Sequence, residues 1–285
     1  MSTLPLRTLD VSGTRRVPFS RLVRTESRKL VDTRGGLWLL GISSGLLLLV
    51  FGIVLLVCGL SSSSPAARDW LSILTIPVAM LVPVLAITIV TQEWGQRTAM
   101  TTFCLEPSRL RVILAKLVSV TILGVATILL ALVLVPVGNV LGAGLAGSTA
   151  TWNITTSDIV IALLTQVLYL LMGFGLGLLL LSSPGALAIY YVYGWILEGG
   201  VIIPGIMYVL WIATGWGHSL FPWISMRIAM LPFGIDDSTR DDLASHGLSL
   251  DTGALGIAHI VTSVLLWVGL PLGLGMWRVL RAELK

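Results

Sequence analysis

A set of long apolar runs, almost free of charge, constrains this chain more than any other feature. Residues 37–60, 70–91, 112–136, 159–181 and 257–277 each reach or exceed 20 residues. As a helix, a run of that length crosses a hydrocarbon core of about 30 Å. In lipid, only a helix or a closed barrel satisfies every backbone N–H and C=O internally. A further apolar region, residues 186–213, is interrupted by Glu198, Gly199-Gly200 and Pro204-Gly205. The pattern predicts an all-α polytopic membrane protein with six transmembrane helices, the fifth over 184–200. A re-entrant or outer helix, 202–213, is predicted between spans five and six. Composition agrees: 11% of the 285 residues are charged, against about 25% in a soluble domain.

Charge sets the expected orientation. Eight of the 18 Lys and Arg precede Leu37, four lie between Gln92 and Lys116, and three follow Met276. With both termini inside, fifteen of the eighteen face the cytoplasm, as the positive-inside rule requires. The basic residues are split among segments rather than gathered on one face, so nucleic-acid binding is not expected. Cys58 falls on a span and Cys104 on a loop, so no disulfide framework is expected. The first 36 residues carry no apolar h-region, and no cleavable signal peptide is predicted.

Residues 1–18 lack periodicity and are expected to form a cytoplasmic tail. From 19 to 36 the chain predicts an amphipathic interface helix. Phe19, Leu22, Val23, Glu26 and Leu30 recur at helical spacing, while Arg21, Arg24, Arg28, Lys29 and Asp32 lie largely elsewhere around it. Its cations would meet the anionic cytoplasmic leaflet. Gly35-Gly36 is the expected break before the transmembrane domain, 37–285. Pro77 and Pro83 predict a kink in span two, with the freed carbonyls satisfied by neighbouring helices. Gly138–Asp158 reads as a Gly-rich outer loop, and 214–256 as an outer region with aromatic and acidic parts. Pairs of glycines at Gly41/Gly45, Gly138/Gly142, Gly173/Gly177 and Gly269/Gly273 would each permit close helix approach.

Enzyme signatures are scarce. The sequence has no G-x-x-x-x-G-K-[ST] for nucleotide phosphates and no H-E-x-x-H. His218, His246 and His259 are scattered, and no metal site is expected. Ser238 with Asp241 reads as a capping box, and the sequon Asn153-Ile154-Thr155 as chance. Glu198 is the one acid inside an apolar span, about 21 Å along a helix counted from Pro184. A carboxylate at that depth costs at least ~2.5 kcal/mol. It reads as a gate or substrate-path residue, together with Trp195 and Tyr191, as a cap on the re-entrant helix, or as both.

The polar island between spans two and three carries the most specific pattern: Glu93-x-x-x-Arg97-Thr98, then Pro107-Ser108-Arg109, then Ala115-Lys116. With the preceding basic helix, it resembles the permease subunit of type 2 (type V) ATP-binding-cassette exporters. Those typically carry E-x-x-x-G-T; here Arg97-Thr98 stands at the G-T step. The resemblance implies a non-enzymatic transport subunit of a multi-pass bacterial plasma-membrane protein. It would pair with a second permease chain, as homodimer or heterodimer, and with two copies of a separate ATPase holding ATP and Mg. Loop 92–111 would be the coupling loop, with Glu93, Arg97, Thr98, Thr101, Thr102, Phe103, Leu105 and Arg109 facing the ATPase. The connecting helix would contribute Arg21, Arg24, Arg28 and Lys29. The cargo would be hydrophobic or amphiphilic: a drug, antibiotic, lipid or peptide. The alternatives are an ion-coupled secondary transporter, for which paired broken helices are wanting, and an intramembrane lipid-processing enzyme, for which Glu198 alone is too few groups.

Overall fold

A computed structural model describes residues 17–96, 98, 108–194, 223–226, 229–230 and 253–281. Among them the chain is helical, with no strand. In order come α1 (Phe19–Asp32), α2 (Arg34–Ser61), α3 (Ala67–Gly95), α4 (Arg109–Ala146), α5 (Thr156–Leu180) and α6 (Ser183–Val192). After the segment 195–252 follow α7 (Ala254–Val264), a π turn (Leu265–Gly269) and α8 (Leu270–Arg281). Five helices among the described residues are long and apolar enough to cross a membrane: α2, α3, α4, α5 and the continuous 254–281 unit. Of the expected fifth span, 184–200, only α6 and the π-type turn at Tyr193-Gly194 are described. The expected re-entrant helix 202–213 and most of 214–256 lie outside the described residues.

α3 is the centre of the bundle, packing on α2, α4, α5 and α6. It is the most deeply buried of the five spans, and α2 is the least. Its position follows from its prolines. Pro83 has no N–H, so the carbonyl of Ala79, four residues earlier, loses its helical donor. In lipid that carbonyl would stay unpaired. Here the Tyr190 hydroxyl donates to it at 2.6 Å, and the adjacent Tyr191 hydroxyl donates to Met80 O at 3.0 Å. Gln166 Nε2 of α5 donates to Thr75 O at 3.0 Å. A helix with an interior proline in lipid has to sit among partners.

Glycine sets how close those partners come. A Cβ on Gly173 would fall 2.8 Å from Pro83 O, and one on Gly275 2.6 Å from the Leu178 side chain. The Gly138/Gly142 and Gly173/Gly177 pairs are contact points, whereas Gly41 and Gly45 have nothing within 4 Å. Small-residue spacing therefore marked candidates, and tertiary packing chose among them.

Two sequence expectations need correction. The break after α1 falls at Thr33 (φ −85°, ψ 145°), not at Gly35-Gly36. Thr33 Oγ1 accepts from Gly36 N at 3.1 Å and donates to Lys29 O at 2.8 Å, capping α2 while gripping α1. Gly36 is needed for space: a Cβ there would lie 1.7 Å from Leu30 O. Secondly, the expected outer loop from Gly138 is helical as far as Ala146, and α4 ends at the left-handed Gly147 (φ 67°). The flat face that Gly138 and Gly142 leave seats the fully buried Trp70 ring of α3, and that packing outweighs the poor helix propensity of glycine. With 38 residues, α4 runs about 57 Å and projects beyond the hydrocarbon core.

Candidate functional site

The bundle has a basic end, where α1, the end of α3, the start of α4 and the end of α8 converge. Four charged side chains meet there. Lys116 Nζ of α4 lies 2.8 Å from Glu26 Oε2 of α1 and 2.9 Å from Glu93 Oε1 of α3. Lys29 Nζ of α1 lies 2.7 Å from Glu26 Oε1 and 2.9 Å from Glu93 Oε1. Each carboxylate thus bridges both ammonium groups, and the set is electrically neutral. Lys116 also donates to Ile89 O at 3.3 Å, and Ser119 Oγ donates to Val23 O at 3.0 Å.

This site is dry on one side. Glu26 is 1% exposed and Lys116 5%, while the Lys29 side chain reaches solvent. Burial pulls the Lys29 ammonium pKa down. The hydrogen bonds and charges of Glu26 and Glu93 outweigh it, so the group ends above the ordinary lysine value. Removing an ion from water costs several kcal/mol, recovered only with close opposite partners. Two carboxylates and two ammonium groups at 2.7–2.9 Å meet that condition. Geometrically the network rivets three helices to one another.

The same end is tied further by arginines. Arg109 donates to Val279 O at 2.9 Å and Leu280 O at 3.3 Å, joining the start of α4 to the closing turn of α8. Arg111 donates to Val17 O at 2.7 Å, just ahead of α1. Arg278 donates to Leu179 O at the end of α5. The guanidinium groups of Arg109 and Arg278 sit where carbonyls at helix C-termini are otherwise orphaned.

The expected site residues divide accordingly. Glu93 belongs to the final turn of α3 and faces inward to the two lysines rather than outward along a loop. Lys29 turns inward with it. Arg21, Arg24 and Arg28 lie exposed on the other side of α1. Thr98 N donates to Glu93 O at 2.9 Å, continuing the turn past Gly95. Arg109 is engaged by α8. Arg97, Thr101, Thr102, Phe103 and Leu105 lie outside the described residues, as do Trp195 and Glu198. Tyr191 donates its hydroxyl to Met80 O of α3, as described above. Glu26 and Lys116 had no assigned role from sequence. The available signals were an acid on the apolar face of an amphipathic helix and a lysine within an apolar run.

The opposite end is also tied by polar contacts. Arg68 Nη2 lies 3.2 Å from Asp158 Oδ2, and Asp158 and Thr155 cap α5 reciprocally. Asn153 Oδ1 accepts from Arg68 N at 3.1 Å, so two residues of the sequon have structural work. The Tyr193 and Trp267 rings lie 4.0 Å apart. Tyr193 Oη accepts from Met226 N at 3.2 Å, and Trp267 Nε1 donates to Ile224 O at 2.7 Å. His259 packs edge-on to Trp223 with centroids 4.4 Å apart. No group of three or more potential metal ligands occurs among the described residues.

No family model, no curated protein and no solved structure matches this chain.

Proposed function

We propose that this chain is the membrane-spanning permease subunit of a transporter driven by a separate ATPase, exporting a hydrophobic or amphiphilic compound. One observation carries the reading: the four-charge network clamps α1, α3 and α4 together where the 96–108 connection leaves α3 and returns to α4. A push on that connection is transmitted to three helices at once, because none can shift without separating buried opposite charges. Loose ends would absorb the displacement locally. In this reading the basic end is cytoplasmic, the chain makes six spans, and 202–213 is re-entrant. Two permease chains assemble with two ATPase subunits that hold ATP and Mg. The resemblance of Glu93–Lys116 to the exporter loop supports the same assignment.

The test is reconstitution. The full chain should co-purify from its native membrane with an ATPase, and replacing Thr98–Leu105 by a Gly/Ser linker should uncouple ATP hydrolysis from transport. Transport driven by an ion gradient with the purified chain alone would overturn the proposal in favour of a secondary carrier.

A further inference from the structure

The structure splits the cations of α1 into two sets, and the outward set has no work inside the fold. Lys29 is consumed by Glu26 and Glu93. Arg21, Arg24 and Arg28 are exposed, and none of their side chains has a hydrogen bond or ion pair with another described residue. At about 100° per residue, the three lie within about 60° of one another, opposite the buried Glu26 and Leu30. Val31, 43% exposed, falls beside Arg24 on this arc. Asp32 closes the arc at its far end and leaves it net basic.

The depth of α1 follows from its attachments. Thr33 alone separates it from α2, and its buried face is pinned to Glu93, two residues before the end of α3. It therefore lies where the apolar runs stop. Trp38, one turn into α2, is 72% exposed, and Trp277 of α8 is 56% exposed with Arg281 4.9 Å over its ring. Exposed indoles beside guanidinium groups belong at the headgroup boundary.

We propose that Arg21, Arg24 and Arg28 form a seat for anionic phospholipid headgroups of the adjoining leaflet. Arginines carry the fork geometry that phosphate oxygens match, and Val31 among them suits a lipid surface better than an acidic protein face. The seat is independent of the transport reading: it requires neither cargo nor ATPase.

The full chain, purified and delipidated in a neutral detergent, is titrated with short-chain phosphatidylglycerol, phosphatidylcholine or inorganic phosphate. Bound adducts are read by native mass spectrometry. Phosphatidylglycerol should bind in preference to phosphatidylcholine and weaken in high salt. Arg→Gln at the three positions should weaken it about fivefold per residue, on the order of a hundredfold for R21Q/R24Q/R28Q, leaving phosphatidylcholine unchanged. The variant should melt as wild type in phosphatidylcholine micelles, since these side chains touch nothing inside; if the triple fails to fold, the fivefold loss is read on Arg24→Gln alone. Equal retention of phosphatidylglycerol by the variants, or equal retention of both lipids by wild type, would overturn the proposal. Displacement by equimolar phosphate would show a free-phosphate site, and loss of an acidic protein partner with lipid binding intact would show a protein-docking face. Either result would also overturn it.

Discussion

Substituting Lys116→Met tests the clamp most directly. Lys116 is 5% exposed and holds Glu26 Oε2 at 2.8 Å and Glu93 Oε1 at 2.9 Å. Methionine fills similar volume without charge, so packing is conserved and the loss is electrostatic. Two carboxylates, 1% and 7% exposed, are then left with Lys29 alone. Breaking a buried pair from one side costs about 3–5 kcal/mol, a factor of 100 or more in the folding equilibrium. The assay is reversible unfolding of the full chain in mixed micelles with increasing dodecyl sulfate, followed by helical circular dichroism. The double variant Glu26→Gln/Lys116→Met removes one charge of each sign and leaves Glu93 facing Lys29. It should therefore be more stable than Lys116→Met alone, with a coupling of about 1–3 kcal/mol across the cycle. A Lys116→Met cost under about 0.5 kcal/mol, or strictly additive single costs, would refute the reasoning.

Tyr190→Phe removes the donor to the Ala79 carbonyl and should cost about 1–3 kcal/mol. Adding Pro83→Ala, which restores the backbone donor, should recover much of that loss in the same unfolding assay. Lys29 supplies a pH prediction. Its folded pKa is raised, so its contribution is complete below the unfolded value of about 10.4 and is lost as pH rises through the folded value. The melting difference between wild type and Lys29→Met should then be flat from about pH 7 to 9 and narrow only above about pH 10.5. A difference that changed between pH 7 and 9 would contradict the assignment.

How much was legible beforehand varied from residue to residue. The amphipathic face of α1 could be read because its period is local, and Glu26 stood on that face from the start. Its partner Lys116 is 90 residues away, and no local pattern joins an acid on one helix to a lysine on another. The break at Thr33 was misplaced because Gly35-Gly36 carries the stronger local turn signal. The cap Thr33 forms and the carbonyl of Leu30 against Gly36 exist only once α1 folds back on α2. The extension of α4 to Ala146 was hidden likewise: Gly138 and Gly142 read as loop residues until Trp70 is seen packed on them.

The sequence by itself determined that the chain is helical and built for lipid, since runs of this length have no other way to satisfy their backbone. It also determined which segments carry the basic charge. Only the tertiary structure decided what those charges do, because Coulomb attraction depends on distance in space rather than along the chain. Packing alone turned Glu93 and Lys29 inward to Lys116 and left Arg21, Arg24 and Arg28 facing outward.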